Sequence, residues 1–177
     1  MKKSLWCAMA SLPVILLAGG CFSSPARSIA YYDLRMPEKV QKQSDFQLLL
    51  CGNDSPGRTR MLYRKADNRM VQDDYHCWIQ TPEQMLMRYV NMAYPEQHTQ
   101  DAATRSALRL TVNAFEFDLQ SNEAVLSLAY EFKQRNQRKN GTVTLREKAS
   151  DSSAAAFSAA MSKAVEKAVT QIAAAAK

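Results

Sequence analysis

Apolar and polar positions alternate with a period of two along residues 108–114 and 126–132, and repeat with a helical period along 157–172. These two periods predict an antiparallel pair of half-buried strands and a terminal amphipathic helix. Leu108, Leu110, Val112 and Ala114 share one parity, whereas Phe115 and Phe117 take the other, which predicts either a β-bulge between them or an edge where both faces are covered. Gln120-Ser121-Asn122 turns the chain into a strand carrying Leu126, Leu128, Tyr130 and Phe132. Asn140-Gly141 then begins the return into Val143 and Leu145, because Asn-Gly between β runs is a strong hairpin signal. Residues 107–148 thus read as a three-stranded antiparallel meander. Ser150-Asp151-Ser152-Ser153 caps the last helix, which runs to about residue 174 with Phe157, Ala160, Met161, Ala164, Val165, Ala168 and Ile172 on one stripe.

The first half is less regular. Residues 28–34 (SIAYYDL) are β-rich, and 46–51 (FQLLLC) form a continuous apolar run, as in a strand covered on both faces. Gly52-Asn53-Asp54-Ser55-Pro56-Gly57 must break that strand. Residues 60–64 (RMLYR) offer another short strand, and the polar stretch after it reads as a strand at 69–72 before Cys77-Trp78-Ile79. Thr81-Pro82-Glu83-Gln84 is a capping box with proline at the first helical position. Leu86, Tyr89, Val90 and Ala93 follow at helical spacing, widened by Met85 and Met92, and Pro95 closes the helix. The polar residues 96–104 read as a loop. The predicted fold class is α+β, with two helices packed on one face of a mainly antiparallel sheet in the order βββ-α-βββ-α.

The N-terminus is of another kind. Lys2 and Lys3 precede a short, largely apolar run from 5 to 17, and Leu17-Ala18-Gly19-Gly20 leads directly into Cys21. This is the layout of a secretory signal peptide, and the run is too short for a spanning helix of about 20 residues. It resembles the bacterial lipoprotein version, cut before a cysteine that becomes acylated; the alternative is an ordinary signal peptide with Cys21 near its cleavage site. The expected organisation is a signal peptide at 1–20, a lipidated Ser/Pro/Ala-rich tether at 21–28 and a single domain at 29–177. Each acyl methylene buried contributes about 0.8 kcal/mol, and seven extended tether residues reach about 25 Å. Residue 22 is Phe, not Asp. In lipoproteins of this kind that resemblance points to the periplasmic face of the outer membrane.

Export also bears on the cysteines. Cys7 lies in the discarded segment, so with Cys21 acylated the mature chain retains Cys51 and Cys77. They are expected either to pair in an oxidising compartment or to remain buried thiols. A disulfide closing a loop of about 26 residues would contribute roughly 3 kcal/mol.

Charge changes the picture little. The formal net charge is +6, and losing Lys2 and Lys3 leaves +4. Lys133, Arg135, Arg138 and Lys139 form the one basic concentration, read as a solvated hairpin tip. Such a cluster attracts phospholipid head groups or nucleic acid, and export argues against nucleic acid.

Catalytic chemistry is hard to place. The two histidines, His76 and His98, have no partners at ligand or triad spacing; His76-Cys77 after Asp73-Asp74 reads as a local turn and not as a metal site. No nucleophile elbow, phosphate loop or dinucleotide fingerprint occurs, and five glycines leave little room for one. Glu116, Asp118, Glu123 and Glu131 fall on amphipathic strands, where a solvated face accounts for them. No enzyme, cofactor or metal is expected. The nine methionines, including Met61, Met70, Met85, Met87 and Met92, read mostly as core, with an apolar contact surface as the alternative.

Several short motifs in order resemble the ABC-type transport auxiliary lipoproteins: Tyr31-Tyr32-Asp33-Leu34 after the tether, residues 58–63, Trp78 followed by Pro82 and a helix, Leu108-x-Leu110-x-Val112-x-x-Phe115, the long hairpin and the Ala-rich terminal helix. Two features depart from that pattern: the Gly52–Gly57 loop and the cysteines at 51 and 77. The resemblance implies an outer-membrane lipoprotein, anchored through Cys21, that serves an MCE-domain intermembrane lipid transport system as a non-catalytic subunit. Its implied partner is the periplasm-spanning MCE protein, docked at the outer membrane. Direct lipid binding and homo-oligomerisation stay open, as do an assembly role in another envelope complex and a hydrophobic-ligand carrier. Tyr31, Tyr32 and Trp78 are read as packing residues.

Overall fold

The computed structural model describes residues 27–40, 46–95, 106–135 and 137–176. The signal peptide, Cys21, the tether up to residue 26, the loop at 96–104 and His98 lie outside the described residues. Within them the chain forms β1 (Ala30–Tyr32), β2 (Phe46–Asn53), β3 (Arg60–Arg64), β4 (Met70–Trp78), α1 (Pro82–Ala93), β5 (Ser106–Asp118), β6 (Glu123–Gln134), β7 (Gln137–Lys148) and α2 (Ala154–Ala175). The α+β class stands.

The expected meander is present: β5 pairs antiparallel with β6, and β6 with β7. So is the bulge, as a register shift between Val112 and Ala114. The extra residue, Asn113, returns Phe115 and Phe117 to the side already taken by Leu108, Leu110 and Val112, and all five are core residues.

The rest of the sheet is not as expected. Its order is β1-β4-β3-β5-β6-β7, with β2 also on β5. β1–β4, β2–β5 and β3–β5 are parallel, whereas β3–β4, β5–β6 and β6–β7 are antiparallel, so the sheet is mixed and not purely antiparallel. Parallel neighbours need a long crossover, and β4 with α1 provides it between β3 and β5. β2 and β3 follow one another along a single edge of β5, β2 on Ser106–Val112 and β3 on Phe117–Asp118. The Gly52–Gly57 turn signal marks the gap between them. There the Asp54 and Ser55 N–H groups both donate to the Val112 carbonyl, at 2.9 and 3.1 Å. The polar stretch read as a short strand is most of β4, interrupted by extra residues between its pairings to Leu62 and Arg60.

Asn140-Gly141 is not the hairpin turn. Both residues lie within β7, opposite Glu131 and Tyr130, and the chain reverses after Gln134, with Arg135 at φ 50°. A turn at Asn140-Gly141 would set Val143 against Arg138; the observed register sets it against Leu128, and Leu145 against Leu126. Apolar cross-strand pairing overrides local turn chemistry.

Both helices contribute to one core. Phe157 of α2 stacks on Phe117 at 4.8 Å and meets Trp78 at 5.5 Å; Trp78 also packs on Phe115 at 5.1 Å. Ala160, Ala164 and Ala168 are buried where α2 crosses β6 and β7, so short side chains set a close helix–sheet approach. Ser153 caps α2 by accepting from Ala156 N–H, and Gln84 Oε1 accepts from Thr81 N–H at the start of α1. Met61, Met85 and Met161 are core, whereas Met87 and Met92 are exposed on α1. No helix among the described residues is long and apolar enough to cross a membrane.

Candidate functional site

The segment after β1 is a strap held by both helices. Ser158 Oγ donates to the Asp33 carbonyl at 3.0 Å, Arg35 N–H donates to Ser162 Oγ at 2.9 Å, and Arg88 of α1 pairs with the Asp33 carboxylate. Leu34 is buried beneath it. Between the strap and the helices lies a cleft of about 660 Å³, with Tyr89 and Ser162 among its walls. Arg35, Glu38, Lys39, Lys163 and Glu166 also line it, charged groups that a carrier enclosing a lipid would not place there.

The side of β1 and β4 turned away from the helices is different. Tyr31 sits opposite Cys77, and Tyr32 opposite core Trp78. Strand alternation therefore sends Tyr31 outward and Tyr32 inward. Tyr32 packs against the core, as expected, but Tyr31 is 66% exposed. Tyr75 shares its parity on β4, and Ile29 just before β1 and Ile79 just after β4 are also exposed. Arg27 places its guanidinium carbon 5.4 Å from the Tyr75 ring centroid. This patch escaped the sequence reading, because Ile29, Ala30, Tyr31 and Tyr32 carry no alternation of polarity that would separate the two faces.

The basic residues Lys133, Arg135, Arg138 and Lys139 are exposed around the β6–β7 reversal, as expected of a hairpin tip. Arg138 and Lys139 line a cleft with Ala175 and Ala176 at the C-terminal end of α2, where the helix dipole favours cations.

The titratable groups of β4 hold the local structure. Asp73 accepts from the Tyr75 and His76 N–H groups, and its other oxygen lies 2.8 Å from His76 Nδ1. Partial burial pushes Asp73 up, but these bonds outweigh it and hold its carboxyl below the ordinary value. The local turn read from the sequence is instead an irregular stretch within strand β4, where the register against β3 shifts. Among the described residues no three His, Cys, Asp or Glu side chains come together to hold a metal ion.

The acidic strand residues are not all solvated. Glu116 is buried and receives a 2.6 Å ion pair from Arg64, a partner 52 positions away that no local pattern announces. Asp118 and Glu123 share Arg146, at 3.3 Å each. Glu131 stands 3.9 Å from Arg138.

Cys51 and Cys77 are both buried free thiols. Cys51 belongs to the core on the helix side, where burial, reinforced by Glu83, pushes its thiol up to about 12. Cys77 precedes Trp78 and faces the other side of the sheet. Cys21, the expected acylation site, lies outside the described residues.

Two solved structures share this fold. One, described only as an uncharacterized protein, superposes with a TM-score of 0.68 at 14% identity, covering 85% of this chain and 99% of its own. The other, protein XCC0632 from Xanthomonas campestris, assigned to DUF330, gives 0.62 at 20% identity, covering 82% and 92%. No curated protein matches the sequence. Residues 57–173 match the family described as ABC-type transport auxiliary lipoprotein component, a span that runs from the end of the Gly52–Gly57 loop almost to the end of α2. The chain belongs to the ABC-type transport auxiliary lipoprotein family.

Proposed function

We propose that this chain is an outer-membrane lipoprotein, acylated at Cys21, and the non-catalytic auxiliary subunit of an MCE-type intermembrane lipid transport system. Its role is to dock the periplasm-spanning MCE protein at the outer membrane. The observation that carries this reading is membership of a transport-auxiliary lipoprotein family, joined to a lipobox-like Leu17-Ala18-Gly19-Gly20-Cys21 upstream of the matched span. The domain suits that role physically. Its core is filled by Trp78, Phe115, Phe117 and Phe157, and what it offers is surface. The acyl chains supply affinity for the membrane, and the short tether keeps the body close to it.

The test is a pull-down in mild detergent of wild type and Cys21→Ala, with mass spectrometry of proteins and lipids. Acyl mass on Cys21, co-purified MCE protein, and membrane association lost in the variant are the expected results. A wild-type chain without acyl mass or MCE partner overturns the proposal. Lipid retained stoichiometrically by the isolated domain would make it a carrier instead.

A further inference from the structure

We propose that Ile29, Tyr31, Tyr75 and Ile79 rest on the phospholipid surface of the membrane that holds the domain, with Arg27 at the lipid phosphates; the inference rests on the acylation of Cys21 proposed above. All four are more than two-fifths exposed, unusual for large apolar groups gathered on two neighbouring strands and the residues that flank them. Their chemistry is that of an interfacial belt: branched aliphatics beside tyrosines, whose rings are apolar and whose hydroxyls stay wet.

Position selects the membrane over other occupants. Arg27 opens the described chain at the edge of the patch, six residues after Cys21. However those residues run, they span no more than about 22 Å. The patch is thus tied close to the lipid anchor, and its cation is the nearest positive charge in sequence to that anchor. The neighbouring acidic groups are engaged within the protein: Asp74 pairs with Arg60 at 2.7 Å, and Asp73 accepts from the Tyr75 and His76 N–H groups. Arg27 lies over the Tyr75 ring, which leaves its guanidinium edge available to a phosphate.

The acyl chains alone hold the protein; the patch decides which face meets the membrane. The helices, the strap and its cleft, on the other side of the sheet, then face the periplasm and a partner.

The test uses the full acylated lipoprotein in vesicles of phosphatidylethanolamine and phosphatidylglycerol whose acyl chains are brominated near the head group. Tyr31→Trp and Ile79→Trp place fluorophores at exposed patch positions, and Lys163→Trp places one on the exposed side of α2. Both patch variants should lose most of their added fluorescence, and Lys163→Trp none. Quenching at Lys163→Trp alone puts the helix face on the bilayer and overturns the proposal. Absence of quenching at all three also overturns it and leaves the patch to a protein partner. Acyl mass is measured on the same samples. Acylated protein with unquenched patch variants sinks this inference alone, whereas missing acyl mass sinks the anchor reading and this inference with it.

Discussion

Gly141 is the residue whose identity the surroundings constrain most visibly. A Cβ added there would stand 2.6 Å from Tyr130 Oη and 2.7 Å from its Cζ, because the Tyr130 ring lies across the glycine from the paired strand. The glycine therefore serves a close approach and not a turn. Gly141→Ala should destabilise the domain by about 1–2 kcal/mol by displacing that ring, read as a lower denaturation midpoint. With Tyr130→Ala already in place the same change should cost much less, a non-additivity expected of residues in direct contact. Equal cost in both backgrounds would refute the contact. Cys51 gives a second expectation at this scale. Buried, with its thiol raised to about 12, it should resist alkylation in the folded protein at neutral pH and react after unfolding. With Cys51 and Cys77 on opposite faces of the sheet, reductant should leave the unfolding midpoint unchanged; a fall in the midpoint would mean that they are linked.

A turn and an irregular strand stretch carry the pH dependence. At the β5–β6 turn, partial burial pushes Asp118 up, but bonds from Ser121 N–H, Arg146 and Gln120 N–H outweigh it and hold its carboxyl below the ordinary value. Asp73, in the irregular stretch of β4, is depressed in the same sense. Carboxyls depressed in the folded state contribute stability that is fully present above their unfolded values, near about 4, and is lost as pH falls through the folded ones. Urea midpoints should therefore hold from neutral pH to about 5 and drop below about 4. Asp118→Asn should be less stable at neutral pH and show a shallower acid drop; an unchanged profile would remove Asp118 from the account. Elements were also the scale at which the sequence was most legible. α1 and α2 were readable because caps and the 3.6-residue stripe are local. The bulge at Asn113 was readable because a parity change is local too. The Arg64–Glu116 pair and the β6–β7 reversal at Arg135 were not, since each depends on which strand lies alongside.

For the whole molecule, α2 is joined to the sheet through one aromatic contact above the rest. Phe157 meets Phe117, Trp78 and Tyr63 at ring separations of 4.8, 5.5 and 5.9 Å and is completely buried. Phe157→Ala should cost about 3–5 kcal/mol, measured by chemical denaturation; a loss below about 1 kcal/mol would mean that the site collapses around the smaller side chain.

Alone, the sequence determined that there are two helices with defined starts, an antiparallel meander, a core drawn from the correct residues of both, and an N-terminus built like a lipoprotein's. These follow from periodicity, capping and turn chemistry within a few residues. Only the tertiary structure decided that β2 and β3 share one edge of β5 in parallel, that Asn140-Gly141 sits inside a strand, that the two cysteines face apart, and that Tyr31 is uncovered. Each of those is settled by competition among distant segments for the same strand edge or the same face. The winner is the arrangement that buries the most apolar surface while pairing the backbone, a comparison that no single stretch of the chain contains.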